Sequence, residues 1–346
     1  MRRSGPGPAH DQLAAPVSLR LNDAPRYEEF YGFVHPPFTA APDPRFFAPI
    51  GSHGRAIEVL GQAIRAHERV TLLTGAPGAG KTTVCRALVT QVDEAVLTSL
   101  VLEPVTSIED LLRTVLQDFG VISSEGGRSD RVAAATRQQL TDALTGFLRS
   151  LEPIGGRCVV VIDEAHRLSP VVLQQLTAMT AEEMAESGRL QIVLSARPEL
   201  LETLRESDVR ELDRRISTRA TLEPLSPDDV RAYVARRLSQ AGADSASAPS
   251  FEPEALEAVH RHTGGVPLAI NTLCDRALTL GAQLEVRNVA PEVIDEAARD
   301  LDLAPASSQR AGRSALPLWV KVGLPILLLL GLIAAWFSGA ASTLFP

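Results

Sequence analysis

Gly75-Ala76-Pro77-Gly78-Ala79-Gly80-Lys81-Thr82, with Thr83 next, decides how the rest of this sequence is read. It fits G-x-x-x-x-G-K-[ST], a phosphate-binding loop. Small residues with access to positive φ let consecutive backbone N–H groups turn inward around a phosphate. The helix that follows adds the partial positive charge of its N-terminus. In this reading Lys81 reaches the β- and γ-phosphates and the Thr82 hydroxyl faces Mg²⁺. The flanks agree: Arg69–Leu73 is a short apolar β run, and Lys81–Val92 reads as a helix.

About 80 residues downstream, Val159-Val160-Val161-Ile162-Asp163-Glu164 supplies the second half of such a site. A continuous apolar run bounded by Gly155-Gly156 and Asp163 is a buried parallel strand that ends in two carboxylates. Their tasks differ: Asp163 lies in the Mg²⁺ shell, and Glu164 polarises the attacking water. Asp163-Glu164-Ala165-His166 also spells the box of a helicase class that needs two core domains, and this chain has room for one.

Around these motifs strand and helix alternate. Ala95–Leu102 and Leu190–Ser195 are further strand candidates, and Thr106 or Ser107 caps a helix running to about Phe119. Leu140, Leu144, Phe147, Leu148 and Leu151 share one helical face, and Ile122–Arg131 is a Gly/Ser loop. The pattern predicts an α/β parallel sheet with helices on both faces. Ser226-Pro227-Asp228-Asp229 opens a helix with Ser226 as N-cap. Phe251–His262 and Val266–Leu280 read as two more helices, and no strand signal follows Glu223. The expected organisation is a nucleotide-binding core over residues 26–225 and a small all-helical lid over 226–303.

The 346 residues suit two domains plus extensions. A net charge of −8 opposes a global electrostatic grip on nucleic acid. Cys85, Cys158 and Cys274 are scattered without a CxxC, which argues against a disulfide framework or structural zinc. Residues 1–25 are rich in Pro and Gly, lack the apolar run of a signal peptide, and read as a disordered segment. After a linker over 304–315, residues 316–337 read as one transmembrane helix, followed by a short tail, 338–346. Trp319 and Trp336, the only two Trp, bracket it about 26 Å apart at ~1.5 Å rise per residue. Arg310, Arg313 and Lys321 on its N-terminal side place the preceding residues in the cytoplasm by the positive-inside rule. The expectation is a single-pass anchor with no far-side domain.

Further segments carry a family resemblance. Tyr31-Gly32-Phe33, Pro37-Phe38, Pro42-Asp43-Pro44-Arg45-Phe46 and His53 precede the loop. Pro198-Glu199-Leu200, Leu222-Glu223-Pro224-Leu225, Thr263-Gly264-Gly265-Val266-Pro267 and Leu273-Cys274-Asp275-Arg276-Ala277-Leu278 follow it. Over residues 27–300 the chain resembles the general-secretion-pathway protein A (ExeA-type) ATPases of secretion, pilus and exopolysaccharide loci. The resemblance implies an AAA+ P-loop NTPase that takes ATP and Mg²⁺ and assembles into homo-oligomers. It implies a γ-phosphate sensor at Ser195 or Arg197 and an arginine finger for the neighbouring subunit at Arg214 or Arg215. A solvated helical face is the alternative for that pair, since residues 197–237 hold nine Arg and nine Asp/Glu. Leu268-Ala269 stands where the family commonly has a lid Arg.

Three functions follow as expectations. The first is an ATPase at the bacterial inner membrane that assembles or remodels a cell-envelope secretion, pilus or polysaccharide-export complex through a partner protein. The second is a nucleotide-gated scaffold with little hydrolysis. The third is a DNA-associated ATPase like the transposition helpers, which the acidic balance and the membrane helix oppose. Phe33, Phe38, Phe46 and Phe47 are expected to pack an N-terminal strap, and some of them to touch adenine. His260 and His262 read as surface, not metal ligands.

Overall fold

The computed structural model describes residues 26–303 except 40, 42, 94, 104, 123–134, 181–188 and 243–247. The segment 1–25, the linker 304–315, the apolar run 316–337 and the tail 338–346 lie outside the described residues. So does most of the Gly/Ser loop expected at 122–131. Among the described residues no helix is long and apolar enough to cross a membrane.

The chain begins with α1 (Tyr27–Tyr31) and α2 (Ser52–Arg65). The core continues as β1 (Val70–Gly75), α3 (Lys81–Gln91), β2 (Val96–Val101), α4 (Ile108–Asp118) and α5 (Arg137–Ser150). It then runs through β3 (Arg157–Ile162), α6 (Pro170–Met179), β4 (Leu190–Ala196), α7 (Leu200–Thr203), α8 (Arg210–Arg215) and β5 (Ile216–Leu222). The five strands form one parallel sheet in the order β2-β3-β4-β1-β5. Because β4 lies between β1 and β3, the end of β4 stands between the phosphate loop and the acids that follow β3. Leu73 pairs with Ser195, and Ile162 with Leu194. The three signals that are distant in sequence therefore meet at the C-terminal ends of the central strands.

Strand alternation builds the core. Val70, Leu72, Val160, Ile162, Ile192 and Leu194 face a cluster shared with α4, α5 and α6, while Leu73, Val159, Val161 and Val193 face α2 and α3. β5 carries no apolar run that marks it as a strand in sequence. It buries Ile216, Ala220 and Leu222 and exposes Ser217, Arg219 and Thr221, the pattern of an edge strand.

The lid comprises α9 (Pro227–Gln240), β6 (Ser250–Phe251), α10 (Pro253–Thr263), α11 (Pro267–Gln283), β7 (Asn288–Val289) and α12 (Pro291–Asp300). The expectation of an all-helical lid is corrected here, since β6 and β7 pair in parallel. Two-residue strands give no periodicity to read in sequence. Ser226 caps α9 in a reciprocal box with Asp229, and the cap of α4 is Ser107. The strap is continuous with the core in sequence, yet it packs on the lid. Tyr27, Tyr31, Phe33, Phe38 and Phe46 share one cluster with Tyr233, Ile270, Leu273 and Leu278. Tyr27 donates to Asp275 Oδ1 at 2.6 Å and Tyr31 to the Val286 carbonyl at 2.9 Å.

Candidate functional site

The loop between β1 and α3 has the backbone that its glycines predict. Gly78 and Gly80 have φ of +75° and +90°, a region costly for residues with a Cβ. Lys81 is buried, and its Nζ donates to the carbonyls of Gly75 and Ala76 at 3.0 and 3.2 Å. Burial pulls its ammonium below the ordinary lysine value, opposed by the carboxylates of Glu164 and Asp163. The charge thus stands inside the mouth of the loop, where a phosphate meets it.

Asp163 is buried at the end of β3 and takes three hydrogen bonds. Thr82 Oγ1 donates to Oδ2 at 2.5 Å, Ser195 Oγ to Oδ1 at 2.7 Å, and the Glu164 N–H to Oδ1 at 2.9 Å. Ser195 is fully buried with its hydroxyl committed to Asp163. Of the two sensor candidates, Ser195 thus reaches the site through Asp163, whereas Arg197 lies beside Glu164. Thr82 spends its proton on Asp163 and keeps its oxygen lone pairs. Thr82 and Asp163 are thus a hard-oxygen pair that fits Mg²⁺, completed by phosphate and water oxygens. No group of three or more His, Cys, Asp or Glu side chains able to hold a metal ion occurs among the described residues.

Glu164 occupies the left-handed region at φ +53°, unusual for a non-glycine residue. This turn separates its side chain from that of Asp163. Its Oε2 lies 3.5 Å from His166 Nε2 and 3.9 Å from Arg197 Nη2. The Arg197 N–H donates to His166 Nδ1 at 3.4 Å, which leaves the ring proton on Nε2, toward Glu164. Burial lowers the His166 pKa, with Glu164 opposing the effect.

The two finger candidates differ. Arg215 donates from Nη1 to the Thr177 carbonyl at 3.0 Å and to Thr180 Oγ1 at 3.2 Å, binding α8 to α6. Arg214 has a side chain 70% exposed, with one loose ion pair to Glu211 at 3.6 Å. Both precede β5, whose first residue pairs with the first residue of β1. They therefore lie at the N-terminal ends of the strands, opposite the phosphate loop and about 17–20 Å away along β1.

The lid and strap complete the surroundings. The Leu268 N–H donates to the Gly78 carbonyl at 3.1 Å, and a Cβ on Gly78 would come within 3.0 Å of Leu268 Cβ. The lid thus touches the loop through backbone and an apolar side chain. Between strap, lid and loop lies a cleft walled by Phe46, Phe47, Ile50, Leu225, Tyr233 and Pro267, with Gly80 and Thr83 on its loop side. His53 and Arg237 join Thr83 and Tyr233 as its polar residues. Phe33, Phe38 and Phe46 pack the strap as expected, and Phe46 and Phe47 also wall this cleft. Tyr233, Arg237 and Pro267 come from lid helices that no motif singled out for this role.

A profile of the AAA domain family matches residues 64–204. General secretion pathway protein A of Aeromonas hydrophila is 38% identical over 252 residues, 73% of this chain and 44% of that protein. The chain thus spans less than half the length of that relative. Two solved structures share the fold. The Aeropyrum pernix ORC2 protein, in ADPNP–ADP complexes, has a TM-score of 0.55 at 17% identity, covering 77% of this chain and 70% of that one. Cdc6p from Pyrobaculum aerophilum has a TM-score of 0.56 at 16% identity, covering 75% and 71%. With phosphate loop, paired acids and lid assembled at the C-terminal ends of the central strands, the chain belongs to the AAA+ P-loop ATPase family, in the branch of general secretion pathway protein A.

Proposed function

We propose that this chain binds Mg-ATP with the triphosphate on residues 75–83 and the base in the adjoining cleft, and hydrolyses it. The observation that carries the reading is the network joining Thr82, Asp163 and Ser195 at the strand ends, with Glu164 turned out beside it. Lys81 binds the β- and γ-phosphates. Mg²⁺ held near Thr82 and Asp163 neutralises phosphate charge. Glu164 orients the attacking water and takes its proton, once its carboxylate leaves Arg197 and His166. Arg197, half-exposed beside Glu164, is the better placed of the two sensor candidates.

Arg214 stands too far from its own loop to act in cis, which supports a role at the site of a second copy. We further propose that the chain is held at the bacterial inner membrane by residues 316–337, with the ATPase on the cytoplasmic side. There it assembles or remodels a secretion, pilus or polysaccharide-export complex through a partner. Resemblance to general secretion pathway protein A supports this, as does the uncharged run from Val322 to Pro346.

The test is ATP turnover per subunit of the full chain as its concentration rises, with Glu164→Gln alongside. Rising specific activity, lost in a Glu164→Gln variant that retains bound ATP, is expected. Turnover at background with ATP bound supports a second reading, a nucleotide-gated scaffold. The contact of Leu268 with Gly78 and the pairing of Glu164 with Arg197 favour that reading.

A further inference from the structure

The cleft beside the phosphate loop holds two buried polar atoms of opposite hydrogen-bonding sense. His53 is 7% exposed, and its Nε2 lies 2.7 Å from the Ala79 carbonyl oxygen. A carbonyl only accepts, so Nε2 carries the ring proton and Nδ1 of the neutral ring is an acceptor. Burial keeps the ring neutral by lowering its pKa, against the carbonyls of Ala79 and Ile50 and the Asp229 carboxylate. Nδ1 is itself buried, without a hydrogen-bond partner among the described residues. The Nε2–Cδ2 edge of the ring faces Gly80, so Nδ1 lies on the edge turned from the loop.

Arg237 is also 7% exposed. Its Nη1 donates to the Pro37 carbonyl at 2.9 Å, and its guanidinium lies 5.3 and 5.1 Å from the ring centres of Phe46 and Tyr233. Its Nε, which can only donate, is buried without a partner among the described residues. His53 and Arg237 both line the cleft, and buried polar atoms are almost always paired, so an unpaired acceptor on one and an unpaired donor on the other point to a ligand that offers the complement.

We propose that His53 reads the base: its Nδ1 accepts a hydrogen bond from the 6-amino group of adenine, and Arg237 Nε donates to a ring nitrogen beside that amine. This rests on the cleft being the base site. Adenine presents an amino donor next to a ring acceptor on either side of C6. Guanine and hypoxanthine place a carbonyl oxygen at C6, which would set its lone pairs against those of Nδ1. The apolar walls take any purine face, so discrimination falls to His53. A histidine that only tied down Ala79 would affect every triphosphate alike.

The experiment is displacement of a ribose-labelled fluorescent ATP from the full chain, with Mg²⁺, by ATP, purine riboside triphosphate (hydrogen at C6) and ITP (carbonyl at C6). Wild type and His53→Phe are compared. The expected result is that wild type binds both analogues at least about tenfold more weakly than ATP. His53→Phe should bind ATP and purine riboside triphosphate within about threefold, because the contact that analogue lacks is already gone, while ITP, whose N1 bears a proton, still meets the Arg237 donor where N1 is the ring nitrogen it contacts. Undiminished discrimination against purine riboside triphosphate in His53→Phe would overturn the role of His53 and leave the cleft as the base site. Equal binding of all three by wild type would overturn the proposal even if the variant failed to fold. A Phe47→Trp reporter separates the two readings: fluorescence unchanged by saturating ATP would remove the base from the cleft itself.

Discussion

Arg214 and Arg215 are adjacent in sequence and differently employed. Arg215 holds Thr177 and Thr180 of α6, whereas Arg214 projects into solvent. Arg214→Ala should remove concentration-dependent turnover, by about 10³-fold or more, and leave the melting temperature unchanged. Arg215→Ala should lower the melting temperature; thermal melts run beside turnover assays separate the two. His53 predicts a pH effect on stability. Its pKa is lowered in the folded chain, so the unfolded chain takes up the proton first. Its contribution is present above about pH 6.5 and is lost as the pH falls toward the folded value. Thermal melts from about pH 7.5 to 5 should show wild type losing more stability than His53→Gln, which keeps a donor for Ala79 but cannot protonate. At this scale, Lys81, Thr82, Asp163 and Glu164 were legible because their chemistry is written in short local runs. His53, Tyr233 and Arg237 were not, since two segments far apart in sequence, α2 and α9, reach one cleft only after packing. The deep burial of Ser195 was likewise invisible, because it depends on the register of β4 between β1 and β3.

Elements were legible in proportion to their burial. β3 reads as five consecutive apolar residues, and both of its faces are covered. β5, at the sheet edge, exposes Ser217 and Arg219, which break up any apolar run, and the two-residue strands β6 and β7 lie below any periodicity. The turn joining α10 to α11 illustrates what a motif conceals. Gly265 has a φ of +77°, and a Cβ there would lie 2.1 Å from the Leu225 carbonyl oxygen. The Leu225 N–H in turn donates to the Gly265 carbonyl at 2.8 Å. Gly265→Ala therefore adds backbone strain to a collision with backbone that has no room to yield. A loss of at least about 3 kcal/mol in a denaturant melt is expected. A loss under about 1 kcal/mol would mean that the lid shifts freely on Leu225.

In the whole molecule the strap crosses from lid to core and brings Phe46, Phe47 and His53 to the cleft. A Cβ on Gly281 would lie 2.3 Å from the Tyr31 hydroxyl, so Gly281→Ala should unseat the strap from the lid. ATP affinity should fall by about tenfold while the sheet core stays folded, as titration and circular dichroism would show. Unchanged affinity would mean that the cleft forms without the strap's lid anchor. Last, the sheet has two functional ends. The phosphate loop opens at the C-terminal ends of the strands, and Arg214 leaves near their N-terminal ends. Copies that complete one another's sites through one repeated head-to-tail contact form an open stack or a closed ring. An open stack always leaves one terminal site without its arginine, while a closed ring leaves none. Activity per subunit would then count ends: short stacks would be slow by a predictable fraction, and capping one end with an Arg214→Ala copy would silence a single neighbour and not the row.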